Sequence, residues 1–262
     1  MARGVVTAVA LVVFGCKDAP KRTEVGKLAP SALPHVPKQI ADYLGAAPTT
    51  LVVIDATELD RTFLNARIPK ALDCLRPIAN SARFIVVDVE PKSWQVFATP
   101  MPEAPTKECL AKLAPAFNMS FKDPLVHADS GEVELKWHLT TMRARPAKQV
   151  IARGQLSHQM RELIAKVPSA YPVWFASMSP SMTMVGWASA TRDEIEGTIH
   201  VTASDAATAR KYVEDLIAGG GDNFRGRGIE VDPTWFQVTT DGNTARLTAR
   251  LPLGVIVPNR QE

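Results

Sequence analysis

One order of predicted secondary structure occurs twice along this chain. Short apolar runs rich in β-branched residues indicate buried strands, and apolar residues spaced three or four positions apart indicate helices. The order β-α-β-β-α-β-β is predicted over residues 50–146 and again over residues 147–258. The repeated order therefore predicts an α+β domain that arose by internal duplication.

Short matches between the two segments support this duplication. They fall at an offset of 97 residues near the start of each unit and 112 residues near its end, and the 15-residue difference fits an additional strand predicted in the second unit. The matched residues are Val53, Ile54 and Leu59 with Val150, Ile151 and Leu156, and Asp129, Leu135 and Leu139 with Asp241, Leu247 and Leu251. The agreement favours one repeated unit over two unrelated ones.

The β-α-β-β-α-β part of each unit has the order of the split βαβ arrangement of ferredoxin-like folds. That arrangement places the helices on one face of a mainly antiparallel sheet, and the last strand adds a hairpin at an edge. The fold class predicted is thus α+β, a tandem repeat of two ferredoxin-like units. The two units could pack sheet against sheet or pair their edges into one long sheet, and the sequence leaves both arrangements open.

Short sequence runs also predict the bounds of several strands and the end of one helix. Strands are predicted over residues 121–128 and 132–141 in the first unit and over residues 149–153 at the start of the second. The glycine run 219–221 predicts the end of a helix, because glycine is unfavourable inside helices. These boundaries complete the predicted repeat.

Two cysteines of the first unit form a candidate disulfide. Cys74 falls late in the first predicted helix and Cys109 early in the second, and these helices would run antiparallel on one face of the sheet. The corresponding helices of the second unit, residues 155–167 and 205–218, contain no cysteine. We predict that Cys74 and Cys109 are bonded, and the alternative is two free cysteines buried in apolar faces.

The start of the chain has the features of an export signal. Residues 5–16, VVTAVALVVFGC, follow Arg3 and form an apolar run shorter than the roughly 20 residues that span a bilayer. Their last four residues, Val-Phe-Gly-Cys, resemble the lipobox of bacterial lipoproteins. The resemblance implies that residues 1–16 are a signal peptide and that Cys16 carries the lipid. An ordinary cleaved signal peptide, or a buried N-terminal element with a chance cysteine, is the alternative.

The residues after the signal suggest where the domain is held. Lys17 stands where some inner-membrane lipoproteins have aspartate, so the resemblance favours the outer membrane, with the protein facing the periplasm. Residues 17–49 contain five prolines and are predicted to form a semi-extended tether. Within it, residues 36–44 could form a short helix that packs on the edge of the domain.

The composition and motifs exclude some functions and leave others open. The formal net charge of +3, or +2 once Arg3 is removed, argues against a nucleic-acid partner. The sequence has no metal-ligand or nucleophile motif, so we predict no catalytic residue, no metal and no cofactor. Asp55 follows a predicted strand and is expected to cap a helix, and Asp88 is expected to lie on a solvated edge.

One group of arginines could bind anions. Arg225 and Arg227 flank a glycine in a predicted loop, while Arg246 and Arg250 share the polar face of the last predicted strand. If the four converge, they would attract lipid headgroups, an envelope polysaccharide or an acidic protein. The alternative is an ordinary solvated strand face, where charged side chains are common.

The leading functional prediction is a non-catalytic binding or scaffold module of the cell envelope. Its partners would be the membrane, through the lipid, and an envelope protein or polysaccharide. The alternatives are an envelope hydrolase whose site forms only in the tertiary structure, and a regulatory lipoprotein that senses a ligand.

Replacing the predicted lipid-bearing residue tests the anchor. A Cys16→Ser variant cannot be lipidated, so we expect it in the soluble fraction, whereas the wild-type protein and a neighbouring Lys17→Ser control remain with the membranes. Immunoblotting of separated fractions measures the distribution. A Cys16→Ser protein that stays in the membrane fraction would contradict the lipid anchor.

Overall fold

Strands dominate the structure, a computed structural model. It describes residues 33–34, 36–45, 48–57, 73–129, 131–149, 151, 156–190, 194–226 and 229–252. The helices are α1 (Lys38–Ala41), α2 (Leu75–Ser81), α3 (Glu103–Leu113), α4 (His158–Ile164) and α5 (Ala206–Arg225). None of these described helices is both long and apolar enough to cross a membrane.

The twelve described strands form one continuous sheet. They are β1 (Thr50–Asp55), β2 (Phe84–Glu90), β3 (Ser93–Thr99), β4 (Ser120–Lys122), β5 (Leu125–Ala128), β6 (Gly131–His138), β7 (Thr141–Pro146), β8 (Val173–Ser179), β9 (Met182–Ala190), β10 (Glu194–Thr202), β11 (Phe236–Asp241) and β12 (Thr244–Pro252). Their order across the sheet is β11-β12-β10-β9-β8-β1-β2-β3-β7-β6-β5-β4. We call strands β1–β7 the first arm and strands β8–β12 the second arm.

The pairing of β1 with β8 joins the two arms. Leu51 of β1 lies opposite Ala176 of β8, and the two strands run antiparallel. Of the two arrangements that the sequence left open, the structure therefore has the one in which the units pair their edges into a single sheet.

The strand pairing differs from the predicted ferredoxin-like arrangement. In a split βαβ unit, the two strands linked by a helix are parallel, and another strand lies between them. Here β1 has antiparallel neighbours on both sides, β2 and β8, and all pairs among the described strands are antiparallel. The α+β class and the mainly antiparallel sheet are confirmed, but β1 and β2, which flank α2 in the chain, are direct neighbours, so the strand order is not that of a split βαβ unit.

Helices cover different parts of the two faces of the sheet. On one face, which we call the α4 face, Met160 and Leu163 of α4 pack with Trp174 of β8 and Val185 of β9. On the opposite face, the α5 face, Ala209 and Val213 of α5 pack with strand residues of the second arm, and α2 and α3 pack below the first arm. Because neighbouring residues of a strand point to opposite faces, β9 supplies Val185 to the cluster on the α4 face and Met184 to the cluster on the α5 face.

The end of the predicted tether is packed against the α4 face. Ile40 and Leu44 are buried in the same apolar cluster as Trp174, and the Trp174 indole donates to the backbone oxygen of Pro34 at 2.9 Å. We call residues 33–45 the strap. The predicted short helix is present as α1, but it lies on the apolar core of the sheet and not merely at its edge.

The strap also covers a buried polar pair, Asp88 and Gln95. The backbone N–H of Gly45 donates to Asp88 Oδ2 at 2.7 Å, and Gln95 Nε2 donates to the same oxygen at 2.7 Å and to the backbone oxygen of Tyr43 at 3.0 Å. Asp88 is 0% exposed, so the prediction of a solvated edge is wrong. Burial raises the pKa of the Asp88 carboxyl, although both hydrogen bonds and the nearby Arg143 act in the opposite direction.

Four predicted boundaries are wrong. The strands over 121–128 and 132–141 give hairpins instead, with turns at Asp123-Pro124 and at Leu139-Thr140. The strand over 149–153 is absent at its described residues, 149 and 151. Helix α5 continues through the glycine run to Arg225, because Phe224 beyond the glycines packs on an apolar cluster of the α5 face.

The predicted disulfide is confirmed. Cys74 and Cys109 are bonded, and their Cα atoms are 5.4 Å apart. Cys74 directly precedes α2 instead of lying late in a helix, while Cys109 lies within α3 and is buried. The bond therefore ties the start of α2 to α3 beside a small apolar cluster that includes Ile78 and Leu113.

Removing the disulfide tests its contribution to stability. The bond closes a loop between positions 35 residues apart, so the Cys74→Ala/Cys109→Ala variant should lose about 3–4 kcal/mol of unfolding free energy. Denaturant unfolding measures this loss, and reduction of the wild-type protein should reproduce most of it. Uptake of an alkylating agent by both thiols of the unreduced protein would show that the bond is absent.

Candidate anion-binding cleft

A cleft of about 510 Å³ opens on the α4 face of the second arm. Its floor is the sheet from β9 to β11, and one wall is formed by α4 and the turn after it. Ten residues line it: Leu163, Lys166, Thr183, Val185, His200, Thr202, Thr239, Asp241, Thr244 and Arg246. Its volume lies in the range of clefts that bind small molecules.

Strand alternation explains why polar side chains line this floor. Ala245 and Leu247 of β12 are buried beneath α5 on the opposite face, so Thr244 and Arg246 must point to the α4 face. In the same way, Val201 of β10 faces α5 while His200 faces the cleft. One set of strands thus carries an apolar core on one face and a polar cleft on the other.

The pairing register arranges the floor in two rows. In the first, which we call the cationic row, four residues lie directly opposite one another on adjacent strands: Thr239, Arg246, His200 and Val185. The second, which we call the hydroxyl row, is displaced by two residues on every strand, all in the same direction across the sheet. It consists of Asp241, Thr244, Thr202 and Thr183. Two residues along a strand correspond to about 7 Å, so the rows are separated by about that distance.

The cationic row meets a third basic group. Lys166 follows α4 and lines the same cleft as Arg246 and His200. The His200 ring packs on the Trp187 ring with 5.1 Å between their centroids, and its Nε2 atom is buried with no hydrogen-bond partner among the described residues. Burial lowers the pKa of His200, and the positive charges of Arg246 and Lys166 lower it further. All three basic groups therefore influence one another electrostatically.

The hydroxyl row has a different character. The hydroxyl groups of Thr202 and Thr244 hydrogen-bond to each other at 2.9 Å. Asp241, at the end of β11, is exposed and lies opposite Thr244. This side of the cleft can both donate and accept hydrogen bonds.

The structure separates the four arginines that the sequence grouped. Arg246 lines the cleft, and Arg250 lies further along β12, with its guanidinium 3.5 Å from Glu196. Arg225 ends α5, over the opposite face of the sheet, and pairs with Asp222 at 2.5 Å. Arg246 and Arg250 share one face of β12, as predicted, but Arg225 does not converge with them, because α5 packs on the opposite face of the sheet.

Two of the predicted site residues, Cys16 and Arg227, lie outside the described residues. Sequence reasoning missed Lys166, His200 and Asp241. A usable signal was present, since His200 occupies the polar position between Ile199 and Val201 of a strand. Its grouping with Lys166, however, depends on how α4 crosses the sheet.

A second cleft, of about 650 Å³, lies beside the end of β1. Its polar groups already bond to neighbours: Asp55 accepts the N–H of Thr57 at 3.0 Å and the Thr57 hydroxyl, and Thr99 accepts the Thr141 hydroxyl at 3.0 Å. The predicted capping role of Asp55 involves residues 58–72, which lie outside the described residues. We therefore base the functional argument on the cleft of the second arm.

The coupling of the basic groups gives a direct prediction. An Arg246→Met or Lys166→Met substitution removes a positive charge near His200, so the pKa of His200 should rise in both variants. NMR titration of the imidazole signals measures it, with a His200→Gln sample to assign the resonance. Arg250→Met, on the same strand and face but outside the cleft, is the control. An unchanged pKa in both cleft variants would contradict the proposed proximity.

Comparison with known proteins gives a likeness of fold. No protein-family model matches this sequence, and no curated protein matches it. The chain is similar to the structure of TP0453 in crystal form III, with a TM-score of 0.51 and 10% sequence identity over 82% of this chain and 95% of TP0453. Crystal form I of TP0453 gives a TM-score of 0.47 and 11% identity over 81% and 92% of the two chains. At this level of identity, the likeness to crystal form III concerns the fold alone.

Proposed function

We propose that this protein is a lipid-anchored binding module of the cell envelope, without catalytic activity, that takes an anionic ligand in the cleft of the second arm. The observation that carries the proposal is the grouping of Lys166, His200 and Arg246 around one cleft. Asp241 is the one acidic residue among those that line it. The balance of charge in the cleft therefore favours an anion.

The chemistry of the three basic groups supports an oxyanion in particular. Arg246 can donate two parallel hydrogen bonds to a phosphate or carboxylate group, and Lys166 adds a mobile point charge. Burial and, to a smaller extent, the charges of Arg246 and Lys166 lower the pKa of His200, which favours the neutral ring. A bound anion would offset the repulsion among these groups and favour the protonated ring.

The location belongs to the same proposal. The lipobox resemblance around Cys16 supports export and a lipid anchor facing the periplasm. The disulfide between Cys74 and Cys109 supports an oxidising compartment, since such bonds persist mainly outside the cytosol.

We further propose that the two arms are diverged copies of one unit. Counted outward from the central pair, the first arm begins β1-β2-β3-β7-β6, with β5 and β4 beyond, and the second arm reads β8-β9-β10-β12-β11. In each arm the third strand precedes a long helix, and the final hairpin returns beside that strand. The matching order supports duplication, but it aligns β1 with β8 and β6 with β11, whereas the residue matches at offsets of 97 and 112 align β1 with residues 150–151 and β6 with β12. The support therefore comes from the strand order and not from those matches.

Phosphate binding tests the function. We expect inorganic phosphate to bind the detergent-solubilised wild-type protein. Arg246→Met and Lys166→Met should each weaken binding about tenfold or more, because a hydrogen bond to a charged group contributes about 1.5–3 kcal/mol. Isothermal titration calorimetry measures the affinity, and Arg250→Met should bind like the wild type. Absence of binding, or equal affinity in all variants, would refute the proposal.

The hydrolase alternative has its own test. A histidine in a cleft that is also lined by threonine hydroxyls can serve acid–base chemistry, so hydrolysis of a bound ester is the competing activity. We expect no release of p-nitrophenol from p-nitrophenyl phosphate. If the wild-type protein releases p-nitrophenol and the His200→Gln variant does not, the non-catalytic proposal is wrong and the protein is a hydrolase.

A further inference from the structure

The cleft is chemically divided between its two rows. Arg246 and His200 occupy adjacent positions of the cationic row, and Lys166 lines the same cleft from the turn after α4. The hydroxyl row carries three threonines and Asp241, and none of its members is basic. A ligand that fills the cleft therefore meets cations with one part and hydroxyl and carboxylate groups with another.

We propose that the ligand is a monosaccharide-sized polyol that carries an oxyanion, either a phosphorylated sugar or a uronic acid. This inference rests on the proposed anion-binding function and specifies its ligand. The oxyanion binds to Arg246, His200 and Lys166, and the sugar hydroxyls bind to the hydroxyl row. Asp241 accepts hydrogen bonds from sugar hydroxyls, whereas a simple anion would only be repelled by its charge.

The dimensions of the cleft fit this division. The rows are about 7 Å apart, which is comparable to the span from the charged group of a hexose derivative to its distant hydroxyls. A volume of about 510 Å³ exceeds what an inorganic ion needs and accommodates a sugar with its ordered water.

The local bonding of the hydroxyl row permits a selective variant. Thr202 and Thr244 hydrogen-bond to each other. Replacing both with valine removes both hydroxyls together, so no unpaired hydroxyl is left behind. Valine has nearly the shape of threonine, and removal of both partners of a hydrogen bond changes stability little. The double variant thus removes sugar contacts while it preserves the cationic row.

Calorimetric titration of the detergent-solubilised full-length mature protein tests the inference with four probes: inorganic phosphate, glucose 6-phosphate, glucuronate and glucose. We expect glucose 6-phosphate or glucuronate to bind roughly tenfold more tightly than inorganic phosphate, since two or three additional hydrogen bonds each contribute about 0.5–1.5 kcal/mol. Tighter binding of the first identifies a phosphate ester, and tighter binding of the second identifies a carboxylate. Glucose alone should bind weakly or not at all.

The variants separate the two rows. Thr202→Val/Thr244→Val should reduce the affinity for the preferred sugar anion roughly tenfold, towards that of phosphate, and should leave phosphate binding unchanged. Thr248→Val, on the same strand and face but outside the cleft, is the matched control. Arg246→Met should weaken the binding of every anionic probe.

Two failures can be told apart. If phosphate binds and neither sugar anion binds more tightly, the ligand class is wrong while the anion-binding function stands. If none of the anionic probes binds, the anion-binding function itself is wrong. Equal loss of phosphate and sugar-anion affinity in the threonine double variant would also overturn the assignment of the hydroxyl row to the sugar.

Discussion

The antiparallel pairing of β1 with β8 is the contact on which the rest of the structure depends. It makes one sheet from two arms, and it encloses β1 between hydrogen-bonded neighbours on both sides. It also fixes the register between the arms, so that one row of facing residues runs across eight strands. That row is Thr239, Arg246, His200, Val185, Ala176, Leu51, Asp88 and Gln95. The row is apolar in the middle, where the core lies, and polar at both ends.

The two polar ends of this row differ in what covers them. In the first arm the strap closes over Asp88 and Gln95, and its backbone makes one hydrogen bond to each of these side chains. In the second arm α4 stops short of His200 and Arg246, and the polar positions remain accessible from a cleft. A hydrogen-bonded cluster in one arm and a candidate binding site in the other thus occupy the same face of the same sheet.

Much of the fold was predictable from local pattern, and most of the site was not. Alternating or continuous apolar runs identified strands such as β2, β9 and β10, and the distribution of cysteines identified the disulfide. Asp88 was misjudged because its burial depends on Gly45, 43 residues away. Lys166 and His200 were missed because they meet only through strand register and the position of α4. Interactions distant in sequence decide both cases, and a single sequence does not reveal them.

The strap shortens the distance over which the domain can move from a membrane. If Cys16 carries the anchor, the chain between the anchor and the sheet ends near Leu33, which packs on the core, and not near residue 50, where the predicted tether ended. An extended chain covers about 3.3–3.6 Å per residue, so the reach falls from nearly 120 Å to about 60 Å. The domain would then sample only a thin layer next to its own bilayer, and ligands fixed on the opposite side of a wide periplasm would lie beyond it.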